Sequence, residues 1–126
     1  MNILLVGYGK MGKIIERIAL ERGHTIAEKI DIDNQQDLET VKADVAIEFS
    51  HPDAAFNNIK RCIERKLPVV CGTTGWLDRK PELDALTKER DATFFYASNY
   101  SPGVNLFFKL NEQLAKMMKQ FASVTL

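Results

Sequence analysis

The apolar run Ile3-Leu4-Leu5-Val6 leads straight into Gly7-Tyr8-Gly9-Lys10-Met11-Gly12, and helical spacing begins at once behind it. Met11, Ile14, Ile15, Ile18 and Ala19 fall at i, i+3, i+4, i+7 and i+8. No other feature of the chain constrains its fold as tightly. A strand, a G-x-G-x-x-G turn and a helix, in that order, form the arrangement that receives a dinucleotide pyrophosphate. Gly7 is expected to make the tight turn, Gly9 to let the backbone approach the phosphates, and Gly12 to let the helix pack close to the strand. The helix N-terminus adds unpaired N–H donors and a partial positive charge. Asp31 follows nineteen positions after Gly12, where an acid accepts hydrogen bonds from the adenosine ribose.

The same alternation continues along the chain. Thr25–Ile30 reads as a second strand, closed by Asp31-Ile32-Asp33-Asn34. Residues 35–42 carry only Leu38 and Val41 as apolar anchors, so this crossover is a short helix or a loop. Val45–Phe49 is the third strand. Pro52 suits the first turn of a helix whose apolar face is Ala55, Phe56, Ile59, Cys62 and Ile63. Pro68 opens a fourth strand, Val69–Cys71, which runs into Gly72-Thr73-Thr74-Gly75. Pro81 starts a helix with Leu83 and Leu86 inward. Thr93–Ala97 is a fifth strand, and a last helix carries Phe107, Leu110, Leu114, Met117, Met118 and Phe121. Short apolar strands separated by helices predict an α/β domain over residues 1–121, a doubly wound parallel sheet of Rossmann type. Ligands of such sheets bind outside the carboxyl ends of the strands. Those ends are Gly7–Gly12, Asp31, Ser50-His51, Gly72–Gly75 and Ser98–Ser101, and a parallel sheet brings them to one edge.

Seventeen basic and seventeen acidic residues give a formal net charge of zero, and no basic patch points to nucleic acid or to an anionic membrane. Apolar runs are strand-length, so neither a membrane span nor a signal peptide is expected, and Cys62 and Cys71 lack metal-type spacing. Both cysteines read as small buried hydrophobes in a reducing compartment, and the expected location is the cytoplasm. Ala122-Ser123-Val124-Thr125-Leu126 looks like a strand beginning. The expectation is a longer protein in which residues 122–126 open a substrate and assembly domain.

Several residues admit two readings. Gly72–Gly75 is a turn, or a close backbone approach with hydroxyl contacts to a ribose or nicotinamide; its place at the ligand edge favours the second. Ser98-Asn99-Tyr100-Ser101 sets an amide, an aromatic ring and two hydroxyls between a strand and a Pro-Gly bend, against a reading as cap and turn residues. His51 is read as a cap or surface turn rather than a catalytic group, and His24 as inert. Trp76 either walls the crevice or packs on the sheet. Glu48, inside a buried strand, is an acid expected to be held by a ligand or by backbone donors. The stripe of Phe and Met in the last helix is read as core.

Taken together, Gly7–Gly12, Glu48-Phe49-Ser50, Gly72-Thr73-Thr74-Gly75 and Ala97-Ser98-Asn99-Tyr100-Ser101-Pro102-Gly103-Val104-Asn105 resemble one family. It is that of the 4-hydroxy-tetrahydrodipicolinate (dihydrodipicolinate) reductases of lysine and diaminopimelate synthesis, in their N-terminal cofactor domain. The resemblance runs in order along essentially the whole chain, with a glycine loop one residue shorter than in many members. It implies a homotetrameric cytoplasmic enzyme that reduces a small cyclic imine-type substrate with NADH or NADPH. Gly7, Tyr8, Gly9, Lys10, Met11 and Gly12 would hold the pyrophosphate, and Asp31 the adenosine ribose. Gly72, Thr73 and Thr74 would line the nicotinamide ribose, Ala97, Ser98, Asn99 and Tyr100 would fix the carboxamide, and Phe49 and Ser50 would also belong to the cofactor site. The family's catalytic stretch, a His-His pair with a nearby Lys and a Gly-Thr, would lie beyond residue 126. Asp31 is followed by Ile32 and Asp33 rather than by a basic residue, with Lys10 and Lys29 the nearby cations, so NADH is expected to be preferred and NADPH accepted. A nucleotide-sensing regulatory module, such as the gating domains of potassium transporters, and an amino-acid or homoserine dehydrogenase domain are the alternatives.

Overall fold

The computed structural model describes residues 1–96, together with Glu112 and Lys116, which are helical and paired at 3.6 Å. The readings made for Ala97–Asn105, for the last helix otherwise and for residues 122–126 lie outside the described residues.

The chain forms β1 (Asn2–Val6), α1 (Lys10–Glu21), β2 (Thr25–Ile30), a 3₁₀ crossover (Ile32–Glu39), β3 (Val45–Glu48), α2 (Pro52–Glu64), β4 (Val69–Cys71), α3 (Lys80–Arg90) and β5 (Phe94–Tyr96). Every pairing is parallel, in the order β2-β1-β3-β4-β5. The chain therefore starts mid-sheet, moves out to β2, and crosses back over β1 to β3 before continuing outward. The reversal falls between β1 and β3, and a doubly wound sheet opens its ligand crevice at this switch point.

Alternation along β1 serves two cores. Leu4 and Val6 pack with Ala55, Ile59, Cys62 and Ile63 of α2, whereas Ile3 and Leu5 pack with Ile15, Ile18 and Ala19 of α1. A strand buried on both faces must be apolar throughout, and for this reason the run 3–6 has no polar member. Both cysteines sit in the α2 core; burial pushes the Cys62 thiol up to about 12 and raises Cys71 as well. Helix α1 ends at Glu21 with Gly23 just beyond it at φ +84, the left-handed conformation in which glycine closes helices.

The crossover is 3₁₀, broken at Asn34, and Leu38 is its buried anchor. Its other support comes from Arg61 of α2 and from Arg65, the C-cap residue of that helix. Arg61 donates to the Gln35 carbonyl at 2.6 Å, and Arg65 donates to those of Leu38 at 2.7 Å and Val41 at 2.6 Å. Trp76 belongs to the core rather than to a wall of the crevice. Its indole N–H donates to the Thr73 carbonyl at 2.6 Å, and its ring meets Tyr96 edge-on at 5.8 Å.

Candidate functional site

A cleft of about 550 Å³ opens at the carboxyl ends of β1, β2, β3 and β4. Gly7 to Met11 form its first wall, Ile30, Asp31, Ile32 and Gln35 its second, and Phe49 to Pro52 with Ala54 and Asn58 its third. Gly72, Thr73 and Thr74 close it. Of the described residues that the resemblance assigned to the cofactor, all but Gly12 line the cleft; Glu48, Gly75 and Trp76, also noted at the ligand edge, do not. Gly12 lies buried behind the loop, where a Cβ would come within 2.6 Å of the Gly7 carbonyl oxygen. It thus packs against the loop backbone, the close approach expected of the third glycine.

Gly7 has φ +99, and a Cβ there would sit 2.0 Å from the Phe49 carbonyl oxygen. Only glycine allows β1 to turn this closely over the end of β3. Gly9 is different in kind. It is the extended N-cap of α1, at φ −88, and a Cβ built on it meets nothing within 4 Å. The first turn of α1 contains no acidic residue and no side chain caps it. Unopposed N–H groups facing open space are what an anionic pyrophosphate requires, so the donor set fits a dinucleotide.

Tyr8 is held beside the loop. Its hydroxyl donates to Glu16 at 2.5 Å, Lys29 Nζ lies 3.1 Å from the same carboxylate, and Lys29 also sits 4.8 Å from the Tyr8 ring centroid. The hydrogen bond to Glu16 raises the Tyr8 hydroxyl above the usual phenol range, and the Tyr8 bond holds Glu16 below the usual carboxylate range. Lys29 therefore points to the α1 side, away from Ile30, as its strand position predicts.

Asp31 lines the cleft and is exposed. It also has a structural role that sequence reading did not assign. Its carboxylate accepts the Ile32 N–H at 2.9 Å while its own N–H donates to Asn34 Oδ1 at 2.7 Å, a reciprocal cap on the crossover. Ile32, 78 % exposed, and Gln35 were not singled out either; an apolar residue between two acids at the ligand edge was the available signal. His51 occupies the N-cap position of α2 without a side-chain capping bond and is exposed on the cleft.

The floor at the β3–β4 end is polar. Glu48, expected to be held by a ligand or by backbone donors, is instead held by side chains. Thr73 donates to it at 2.6 Å, the Cys71 thiol at 3.2 Å and the Asn58 amide at 3.4 Å, with the Ser50 hydroxyl also upon it. Phe49 lies over Gly72, where a Cβ would meet its ring at 2.1 Å. Among the described residues no group of His, Cys, Asp and Glu could hold a metal, and no helix is long and apolar enough to cross a membrane.

Comparison with known proteins gives this geometry a family. Residues 1–100 match the model for the N-terminus of dihydrodipicolinate reductase. The chain belongs to the dihydrodipicolinate reductase family. It is 52% identical over 120 residues to 4-hydroxy-tetrahydrodipicolinate reductase of Christiangramia forsetii, covering 94% of this chain and 50% of that protein. The same enzyme of Staphylococcus epidermidis is 33% identical over 131 residues, covering 96% of this chain and 53% of that one. The chain thus spans about half the length of the dihydrodipicolinate reductases it matches. Among solved structures, a hyperthermophilic archaeal homoserine dehydrogenase in complex with NADPH superposes with a TM-score of 0.66 at 20% identity, over 77% of this chain and 43% of that one. A probable dehydrogenase from Thermotoga maritima gives 0.64 at 17% identity, over 95% of this chain and 41% of that one. These two likenesses establish the fold.

Proposed function

We propose that this chain is the cofactor-binding part of an NAD(P)H-dependent 4-hydroxy-tetrahydrodipicolinate reductase. The observation that carries the reading is the open space over Gly9 in front of an uncapped helix N-terminus, inside the cleft of a family member. The backbone of Gly9 to Met11 would hold the pyrophosphate and Asp31 the adenosine ribose. Phe49, Ser50, Thr73 and Thr74 would meet the nicotinamide ribose, and Ala97 to Tyr100 the carboxamide. When bound, the nicotinamide supplies a hydride for reduction. The chain's own part is to bind and orient it. In this reading the whole protein is a cytoplasmic homotetramer acting on a small cyclic substrate in lysine and diaminopimelate synthesis, with a substrate domain beginning near residue 122.

NADH is the preferred cofactor. Asp31 and Asp33 oppose a 2′-phosphate, and Lys29 is engaged by Glu16. Among the described residues lining the cleft, Lys10 is the one lysine or arginine. Opposition from the two acids in a partly solvated site amounts to about 1–2 kcal/mol, on the order of tenfold in affinity. Dissociation constants for NADH and NADPH measured in one buffer are expected to differ by that factor in favour of NADH. Tighter binding of NADPH would show that Lys10 or Lys29 reaches the phosphate; absence of binding by either would overturn the cofactor site itself.

A further inference from the structure

Glu48 ends β3 and is completely buried, and no ligand contact assigned above uses it. A carboxylate removed from water needs donors at both oxygens, because unmatched lone pairs cost free energy. Oε1 receives the Thr73 hydroxyl at 2.6 Å and the Cys71 thiol at 3.2 Å. Oε2 receives the Ser50 hydroxyl, and the Asn58 amide at 3.4 Å. The direction of the two hydroxyl bonds is set from outside the pair. The Ser50 backbone N–H donates to Thr73 Oγ1 at 2.8 Å, so that oxygen accepts there and directs its single proton to Glu48. Ser50 Oγ accepts from Asn58 Nδ2 at 3.3 Å and likewise turns its proton inward. Neither hydroxyl has a proton left for the cleft that both residues line.

Resting on the cofactor reading above, we propose that Glu48 is a positioning residue that fixes Ser50 and Thr73 as hydrogen-bond acceptors toward the nicotinamide half of the dinucleotide. Ribose hydroxyls and a carboxamide NH₂ are donors and match such a floor. Phosphate oxygens are acceptors and do not, whereas the N-terminus of α1 at the other end of the cleft presents N–H donors to them. The cleft thus has a donor end and an acceptor end, and Glu48 maintains the second. Because Ser50 follows β3 and Thr73 follows β4, the same carboxylate also ties the two strand ends together at the place where the ligand crosses them.

Glu48→Gln tests this in the full chain. Glutamine keeps the shape but has one acceptor oxygen and an NH₂ donor, so one hydroxyl must reverse and aim its proton at the cleft. Titration with NADH and, separately, with ADP distinguishes the two ends. E48Q is expected to bind NADH about tenfold more weakly while ADP affinity stays within about twofold. S50A should lower the NADH-to-ADP affinity ratio in the same way, because it removes one of the two acceptor oxygens that Glu48 fixes. S50A leaves Glu48 with three donors and supplies the test if E48Q does not fold. A proportional loss of both ligands would mean a merely structural carboxylate, and an unchanged ratio in E48Q or S50A would equally overturn the proposal. If the unaltered chain binds ADP but not NADH, the acceptor floor has no partner and the inference falls alone; if it binds neither, the cofactor site falls with it.

Discussion

Gly7 and Gly9 stand two residues apart in one turn, yet the backbone makes opposite demands of them. At Gly7 a methyl group would enter the space of the Phe49 carbonyl at 2.0 Å, in a backbone region, φ +99, that side chains rarely adopt. Gly7→Ala is therefore expected to destabilise the fold by about 1–3 kcal/mol, read from the midpoint of urea unfolding. An unchanged midpoint would mean that the loop relaxes freely. At Gly9 nothing lies within 4 Å of the added carbon. Gly9→Val should keep the wild-type unfolding midpoint and lose NADH binding, because its side chain fills the space a pyrophosphate requires. Retained affinity in that variant, measured by calorimetry, would place the phosphates elsewhere. The tight turn at Gly7 was legible in the G-x-G-x-x-G pattern, and the open space over Gly9 is what the reading of its second glycine requires. The support given by Glu48 was not legible, because Thr73 is 25 residues away in sequence and reaches it only once β3 and β4 pair.

At the level of elements, β1 and β4, buried along almost their whole length, contain the residues that apolar runs predicted, and β3 ends one residue earlier so that Phe49 enters the cleft; the half-exposed edge strand β2 covers the residues read for it, Thr25–Ile30. The crossover between β2 and β3 resisted a single reading for a physical reason. With Leu38 as its buried residue, it has too little apolar surface to declare a helix. What fixes it is a pair of arginines, Arg61 in α2 and Arg65 at its C-cap, whose guanidinium groups satisfy carbonyls 24 to 27 residues distant in sequence. Arg61 and Arg65 read as ordinary solvent-facing charges in a helical pattern, and nothing local marks them as partners of a loop. Arg65→Ala should leave two partly buried carbonyls without a charged donor and cost about 1–3 kcal/mol of stability. Because the same crossover positions Asp31 and Gln35 on the cleft, cofactor affinity should fall along with it. Equilibrium unfolding and NADH titration of the one variant test both halves; a loss of less than about 0.5 kcal/mol would show that water replaces the guanidinium without penalty.

In the molecule as a whole, β1 is set between strands that lie to either side of it, so that the first loop, the acid after β2 and the polar ends of β3 and β4 converge on the cleft without any of them being near in sequence. That convergence supplies binding and orientation. Reduction of an imine carbon also needs a proton for the nitrogen and a site that holds the substrate carboxylates. The family resemblance assigns those tasks to a His-His pair, a Lys and a Gly-Thr, and the 126-residue sequence has only His24 and His51, which are not adjacent. His24 Nδ1 lies 3.0 Å from the amino terminus, and His51 stands at the N-cap position of α2 on the cleft, with no carboxylate bonded to its ring among the described residues. Proton transfer by a positioned acid contributes about 10² to 10⁴-fold and substrate positioning contributes more. The 126-residue chain is therefore expected to bind NADH in simple titration and to show no steady reductase turnover on 4-hydroxy-tetrahydrodipicolinate, followed as loss of NADH absorbance. Sustained turnover by the chain alone would mean that a group already in this cleft, His51 foremost, donates the proton, and His51→Asn would then abolish the rate without changing NADH affinity.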